Sequence, residues 1–403
     1  MAAALALALT TVACAPAPQP LPRTPPVTVT PPGDPGPLWE GTVRRERSLA
    51  WTDAALLDDP TVVGLARVIG AAAAQVAPTG GGGGALFDAW LRRFATTAHS
   101  ERAGPARLAD HLRADLGADP STWNLDDAPF KVTGVHNRVD LMGAFDDGTP
   151  HCGQLRVSLA STDPILRPFH LLFLFSQPAL DDDGEASDFA ADGTLTCERT
   201  ALAWARLSDL DDPAFLDAAR ALLDEGLAPA RFLLAESVEL TVSPWEWRQW
   251  TPTGDPAVPL DNPPLFEQLD VEHLNQPGPA RAALLAFVDA NADALDARTL
   301  KLPDGRRAPS VRVVQGAPWV PLDLTGAAAT AAHPSLRQHL EIVGCAACHT
   351  ADADFVQTRD DRTFSPFYKK ELLARGALLG EILAHRRRVI PFGPLQDAPV
   401  LPP

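Results

Sequence analysis

The sequence predicts an α+β fold, and two changes of texture predict it. Residues 41–120 carry apolar side chains at i, i+3 and i+4, the period of amphipathic helices. From about 126 the chain turns to short β-branched or alternating runs, interrupted by helices at irregular intervals. A doubly wound sheet needs a steady βαβ rhythm, which is missing here, so a mixed, mainly antiparallel sheet with helices is expected. The 403 residues suffice for two domains, or for one large domain with appendages.

The chain opens on "MAAALALALTTVACAP", a short apolar run ending in small residues. It is too short to span a bilayer as a mature helix. It has the form of an export signal, assigned to residues 1–13. "TVAC" at 11–14 has the form of a lipoprotein box, with Cys14 as the lipidation site, although Thr11 stands where Leu is usual. Ordinary signal cleavage after Ala15 is the alternative, because Ala13-Cys14-Ala15 is also A-x-A. Residues 14–40 are Pro-rich, which excludes helix and central strand. Such a linker favours extended polyproline II, rising about 3.1 Å per residue, the behaviour of a stalk. The expected location is therefore the cell envelope, with the protein held at a membrane, the outer one by expectation, through its N-terminal lipid.

The helical part holds "TVVGLARVIGAAAAQVA" (61–77), "ALFDAWLRRFATTAHS" (85–100) and "PARLADHLRADLG" (105–117), the last with Pro at its start and Gly at its end. The five glycines at 80–84 read as a turn and not a phosphate loop, since no strand precedes them and no Lys-Ser/Thr follows. Strands are expected at "FKVTGVHNRVDL" (130–141), "GQLRVSLA" (153–160), "FHLLFLFSQ" (169–177), "RFLLAESVELTV" (231–242) and "PWEWRQW" (244–250). Helices are expected at 212–227 and 277–295. These make residues 41–330 one α+β body.

The net charge of −17 argues against a cationic stripe for phosphates, so nucleic acid is excluded as a partner. "HRRR" at 385–388 reads as a helix end, where cations suit the dipole. Export also makes the five cysteines informative, since an oxidising compartment favours pairing. Cys14 goes to lipid and Cys345 and Cys348 belong to the motif below. That leaves Cys152 and Cys197, which are expected to pair. Closing their loop of about 45 residues is worth about 4 kcal/mol by the loop-entropy model.

"IVGCAACHT" at 342–350 contains C-x-x-C-H, the attachment signature of c-type haem. In that chemistry Cys345 and Cys348 form thioethers to the porphyrin edge, and His349 ligates iron from the proximal side. One covalent haem c is the expected cofactor. Met occurs only at 1 and 142, so no Met follows the motif, and His385 is the candidate for the second axial metal ligand. His333, His339 or an open site are the alternatives. Phe355, Phe364, Phe367, Tyr368 and Leu372 are candidates for an apolar pocket. With a helix at about 368–385, residues 331–403 read as a small, mostly helical haem c-like module. The competing readings of Cys345 and Cys348 are a structural disulfide, a thioredoxin-like pair or half of a zinc site.

Other patterns carry less. "DDDGEASDFAADG" (181–193) fails the EF-hand spacing and reads as a solvated acidic loop. Trp245 and Trp247 share one strand face and read as sheet packing. "HNRVD" (136–140) sets a base, a cation and an acid together, and reads as a hydrogen-bond network at a strand end. No G-x-S-x-G or H-E-x-x-H occurs, so no hydrolase frame is visible.

The set "NRVDL" (137–141), "CGQLRVSLA" (152–160), "CERTALAWARLSDLDDPAF" (197–215), "PWEWRQW" and "CAACHT" resembles a family of exported bacterial proteins of unassigned function, several of them predicted lipoproteins. They pair a middle NR-x-DL…CG-x-x-R block with one C-terminal C-x-x-C-H. The resemblance spans roughly 130–370 and implies the two-part layout, but no reaction. The expected function is electron transfer or haem-based redox sensing with an unidentified redox or envelope protein partner, so an electron carrier before an enzyme. The alternatives are a non-enzymatic envelope lipoprotein that binds a partner or ligand, with Cys345–Cys348 a structural disulfide, and an oxidoreductase working at an open iron site.

Overall fold

A computed structural model describes residues 38–76, 82–96, 104–144, 150–164, 166–181, 184–187, 194–240, 245–255, 258–263, 270–296, 310–313, 322–334, 336 and 356–384. Its strands are β1 (Ala50–Trp51), β2 (Phe130–Ala144), β3 (Pro150–Ser161), β4 (Phe169–Ser176), β5 (Ala179–Leu180), β6 (Ala186–Ser187), β7 (Phe232–Glu239), β8 (Trp245–Pro252), β9 (Leu260–Asp261) and β10 (Val311–Val313). The longer helices are α1 (Leu65–Val76), α2 (Gly82–Arg93), α3 (Gly104–Leu116), α4 (Thr194–Arg206), α5 (Asp212–Gly226), α6 (Pro279–Ala290) and α7 (Pro366–Leu383). The main sheet runs β1-β2-β3-β4-β7-β8-β10, with β9 paired to β8, and the pairings are antiparallel. The fold is α+β, as the pattern predicts.

The two sheet faces differ because alternate residues point opposite ways. One row across the sheet is Val157, Phe173, Ala235 and Trp250, and it packs with α1, α2 and α3 into the largest core. Trp90 of α2 lies 5.5 Å from Phe173 and 5.9 Å from Trp250, both edge-on, a favoured aromatic geometry. The neighbouring row is polar at one end: His136 pairs across to Arg156, and Arg138 to Gln154. On this side Leu172, Leu174 and Val238 form a smaller apolar patch with Val356, bordered by Trp245 and Trp247.

A further core lies at the β1–β2 end of the sheet. Leu49, Ala50, Val139, Met142 and Ala201 meet Tyr368, Leu372, Leu379, Ile382 and Leu383 of α7. Two of the expected pocket residues, Tyr368 and Leu372, are therefore claimed by packing against the body. Ser365 caps α7, its hydroxyl accepting from the Tyr368 N–H, and Pro366 occupies the first turn, where its missing N–H costs nothing. At the other end of the helix the Leu38 N–H donates to the Leu383 carbonyl at 2.9 Å. α6 closes a separate apolar cluster with Leu322, Leu324 and Leu336. Among the described residues no helix is long and apolar enough to cross a membrane.

Candidate functional site

Residues 134–140 of β2 gather buried and charged side chains with partners from β3 and α7. β2 and β3 lose register between Val132 and Gly134 and again between Arg138 and Met142. The second irregularity explains the glycine of "CGQLR". Gly153 has φ +98°, and a Cβ there would lie 2.6 Å from the Arg138 carbonyl oxygen. At the first irregularity, a Cβ on Gly134 would sit 2.9 Å from the Thr358 hydroxyl, so its absence admits the strand-like strap 356–365.

α7 and β3 deliver the partners of His136, which is fully buried, and the strap brings the Thr358 hydroxyl to 3.5 Å from its Nε2. Its Nδ1 lies 2.7 Å from the Tyr368 hydroxyl and its Nε2 lies 2.9 Å from the Ser158 hydroxyl. Burial, then the Arg375, Arg156 and Arg138 charges, holds the imidazole well below its usual range, so it is neutral. Burial raises the Tyr368 phenol, which therefore keeps its proton. The arrangement resembles a relay, but Ser158 is only 3% exposed and stands mid-strand, so the chain of hydrogen bonds locks α7 to the sheet.

Charged groups continue the row. Arg138 donates to both oxygens of Asp140 at 2.8–3.2 Å, and Arg375 Nε reaches Asp140 Oδ1 at 3.1 Å. Arg375 Nη2 also donates to Glu371 at 2.5 Å. Burial alone would raise the Asp140 carboxyl, but Arg138 and Arg375 hold it well below the carboxylate range. Arg156 donates to the neutral Gln154 amide oxygen at 3.2 and 2.9 Å. Burial and the nearby Arg138 charge pull its guanidinium down to about 10.

Asn137, between these charges, points the other way. It donates to the Ser48 carbonyl and accepts from Gln177, whose own oxygen accepts from the Trp204 indole at 2.5 Å. Cys152 and Cys197 are disulfide-bonded, with Cα atoms 5.0 Å apart, and join β3 to α4. The blocks "NRVDL", "CGQLR" and "CERTALAW" thus converge on one end of the sheet. "PWEWRQW" does not join them: Trp250 enters the main core, and Arg248 pairs with Glu246 at 2.8 Å within β8. Trp245 and Trp247 border the small apolar patch, and the Trp247 indole donates to Glu236 at 3.3 Å.

Cys14, Cys345, Cys348, His349 and His385 lie outside the described residues, as does His339. His333 is described, with Nδ1 3.2 Å from Asp296 and Nε2 3.3 Å from Asp293. Among the described residues no group of three His, Cys, Asp or Glu side chains is arranged to hold a metal ion. Sequence reasoning missed Tyr368 as a polar partner, Arg375 and Ser158. Only the pairing of β2 with β3 and the landing point of α7 bring them together, and no local pattern signals either. Comparison with family models, with curated proteins and with solved structures finds no match to this chain.

Proposed function

We propose that this protein is an exported, lipid-anchored electron-transfer or redox-sensing protein of the cell envelope, carrying one covalent haem c on Cys345 and Cys348 with His349 as proximal ligand. One observation carries the reading. The Cys152–Cys197 bond uses the two other cysteines of the folded body, which leaves the C-x-x-C-H thiols for thioethers. The chemistry of the donor set fits the group: two thiols and an imidazole at fixed offsets are what a c-type haem requires. Val356, seven positions after His349, packs on a patch of Leu172, Leu174 and Val238, apolar surface of the kind a porphyrin needs nearby. When bound, the haem supplies one-electron exchange at iron.

Cys345 and Cys348 would hold the porphyrin and His349 would orient the iron. His385 is the proposed second axial ligand, and a histidine there would lower the potential relative to methionine. Cys14 would tether the chain through lipid, with the Pro-rich linker 14–40 as stalk.

The test is haem stain on a denaturing gel and a pyridine haemochrome spectrum, after co-expression with the c-type maturation machinery. Stain is expected in the wild type and is lost in Cys345→Ala with Cys348→Ala. An unstained wild type would leave the other reading, a ligand-binding envelope lipoprotein with a Cys345–Cys348 staple. In the same cells Cys14→Ser should move the protein from the membrane pellet to the soluble fraction.

A further inference from the structure

The sheet face opposite the main core carries its apolar patch on β4, β7 and β8. Leu172, Leu174 and Val238 are 0–5% exposed, and Leu234, Trp245 and Trp247 border them. Among the described residues, the one member of this cluster from outside residues 172–247 is Val356. Glu236 stands in the same face, paired across to Leu172 and to Gln249. It is 6% exposed, and among the described residues its carboxylate accepts one hydrogen bond, from the Trp247 indole at 3.3 Å. The Arg156 charge acts on it only through the field. A carboxylate can accept about four hydrogen bonds, so a buried one with a single long bond calls for further donors.

Val356 fixes where the preceding chain arrives. It is 7% exposed on this patch, while Leu336 is fully buried in the α6 cluster. Residues 337–355 thus start from one packed anchor and end at another. Leu340, Ile342, Val343 and Phe355 give that segment apolar side chains, and Arg337 and His339 give it hydrogen-bond donors. Three strands about 4.8 Å apart span roughly 10 Å, a distance that about three extended residues cover, so the chain just before Val356 is long enough to cross the patch.

We propose that the β4–β7–β8 face is the docking surface for residues 337–355 of this chain, with Leu174, Val238 and Trp247 as apolar contacts and Glu236 as acceptor for a donor of the segment. The Cys345–Cys348 pair is then held against the body and not on a free-standing module, and a group attached there is shielded on one side by the sheet. The docking does not rest on the haem reading, because a segment stapled by a disulfide would be seated in the same way.

Cross-linking on the full chain tests it. A benzophenone side chain at this position, Trp247→p-benzoylphenylalanine, should on illumination join a peptide within 337–355, identified by mass spectrometry. Links confined to other segments, or no link within the chain, overturn the proposal. Cys345→Ala with Cys348→Ala, which cannot hold haem, should give the same link, so a failure of haem uptake leaves this test standing. Hydroxyl-radical footprinting reads the face without the bulky probe. Against the Cys345→Ala with Cys348→Ala chain, replacing residues 340–353 by Gly and Ser at equal length should raise oxidation of Trp245 and Trp247 severalfold. Trp90 and Trp250, 1% and 0% exposed, should stay unreacted and so report an intact main core. Unchanged oxidation of both Trp245 and Trp247 likewise overturns the proposal.

Discussion

Tyr368 is the chain's single tyrosine, and it holds His136 across 232 positions of sequence. Tyr368→Phe keeps the ring in its core and removes only the hydroxyl. His136 Nδ1 is then buried without its hydrogen-bond partner, which costs about 1–3 kcal/mol. Urea denaturation should show that loss, with little change in the slope. The same hydroxyl makes a spectroscopic prediction. Burial raises its pKa, so phenolate absorbance should appear only as the chain unfolds at alkaline pH, in one step with the loss of far-UV signal. Titration near 10 in the folded protein would show the hydroxyl to be solvated.

Three buried histidines set the acid limb. His136 is held well below its usual range, burial pulls His170 down to about 4 despite the nearby Asp360, and burial lowers His151 against a hydrogen bond with the Gly153 backbone. All three folded values lie below the unfolded value of about 6.5. Above that pH none of the groups affects stability. Below it the unfolded chain binds protons that the folded chain refuses, so stability falls as pH drops. Between about 6.5 and 4 His136 and His170 should each contribute a slope near 1.4 kcal/mol per pH unit. Replacing His170 with Asn should flatten the limb by that amount. A Tm that stays level from neutral pH to pH 5 would contradict the burial of these histidines.

At the scale of the element, α4 shows how a helix hides in a sequence. "TLTCERTALAWAR" is rich in Thr and begins in a poorly periodic stretch, so its helical signal is weak. Tertiary contacts supply what propensity lacks. Cys197 bonds Cys152, Thr200 donates to the Pro178 carbonyl at 2.7 Å, and Trp204 stacks on Trp51 at 4.9 Å. With 45 positions between the cysteines, Cys152→Ala with Cys197→Ala should destabilise the protein by up to about 4 kcal/mol. The expected signature is a lower urea midpoint, matched by reducing the wild type. α7 was more legible. Its expected span of about 368–385 differs from Pro366–Leu383 by two residues at each end, and at the start Ser365 and Pro366 form a capped first turn.

At the scale of the molecule, the division drawn at about 330 meets a shared core. Tyr368, Leu372, Leu379, Ile382 and Leu383 are buried against residues of the body, each worth about 1.5–3 kcal/mol. A chain ending at 330 exposes Leu49, Val139 and the disulfide, and leaves His136 without Tyr368. Limited proteolysis of the full chain is expected to leave α7 associated with the body after any cut between 337 and 355. The truncated chain should be markedly less stable than the full one. A truncation with unchanged Tm would mean that α7 docks without contributing to the core.

Local chemistry determined much of this protein on its own. The α+β class and the positions of β2, β3, β4, β7 and α5 follow from hydrophobic period, which short segments carry in full. The C-x-x-C-H spacing lies within one short segment, and the proposed haem rests on it together with the Cys152–Cys197 bond. Only the tertiary structure decided that Arg375 and Tyr368 of α7 meet Arg138, Asp140 and His136 of β2. Such meetings depend on strand register, on two irregularities in one strand pair and on where a distant helix lands. Those are set by the summed packing of the whole chain, and no window of sequence contains them.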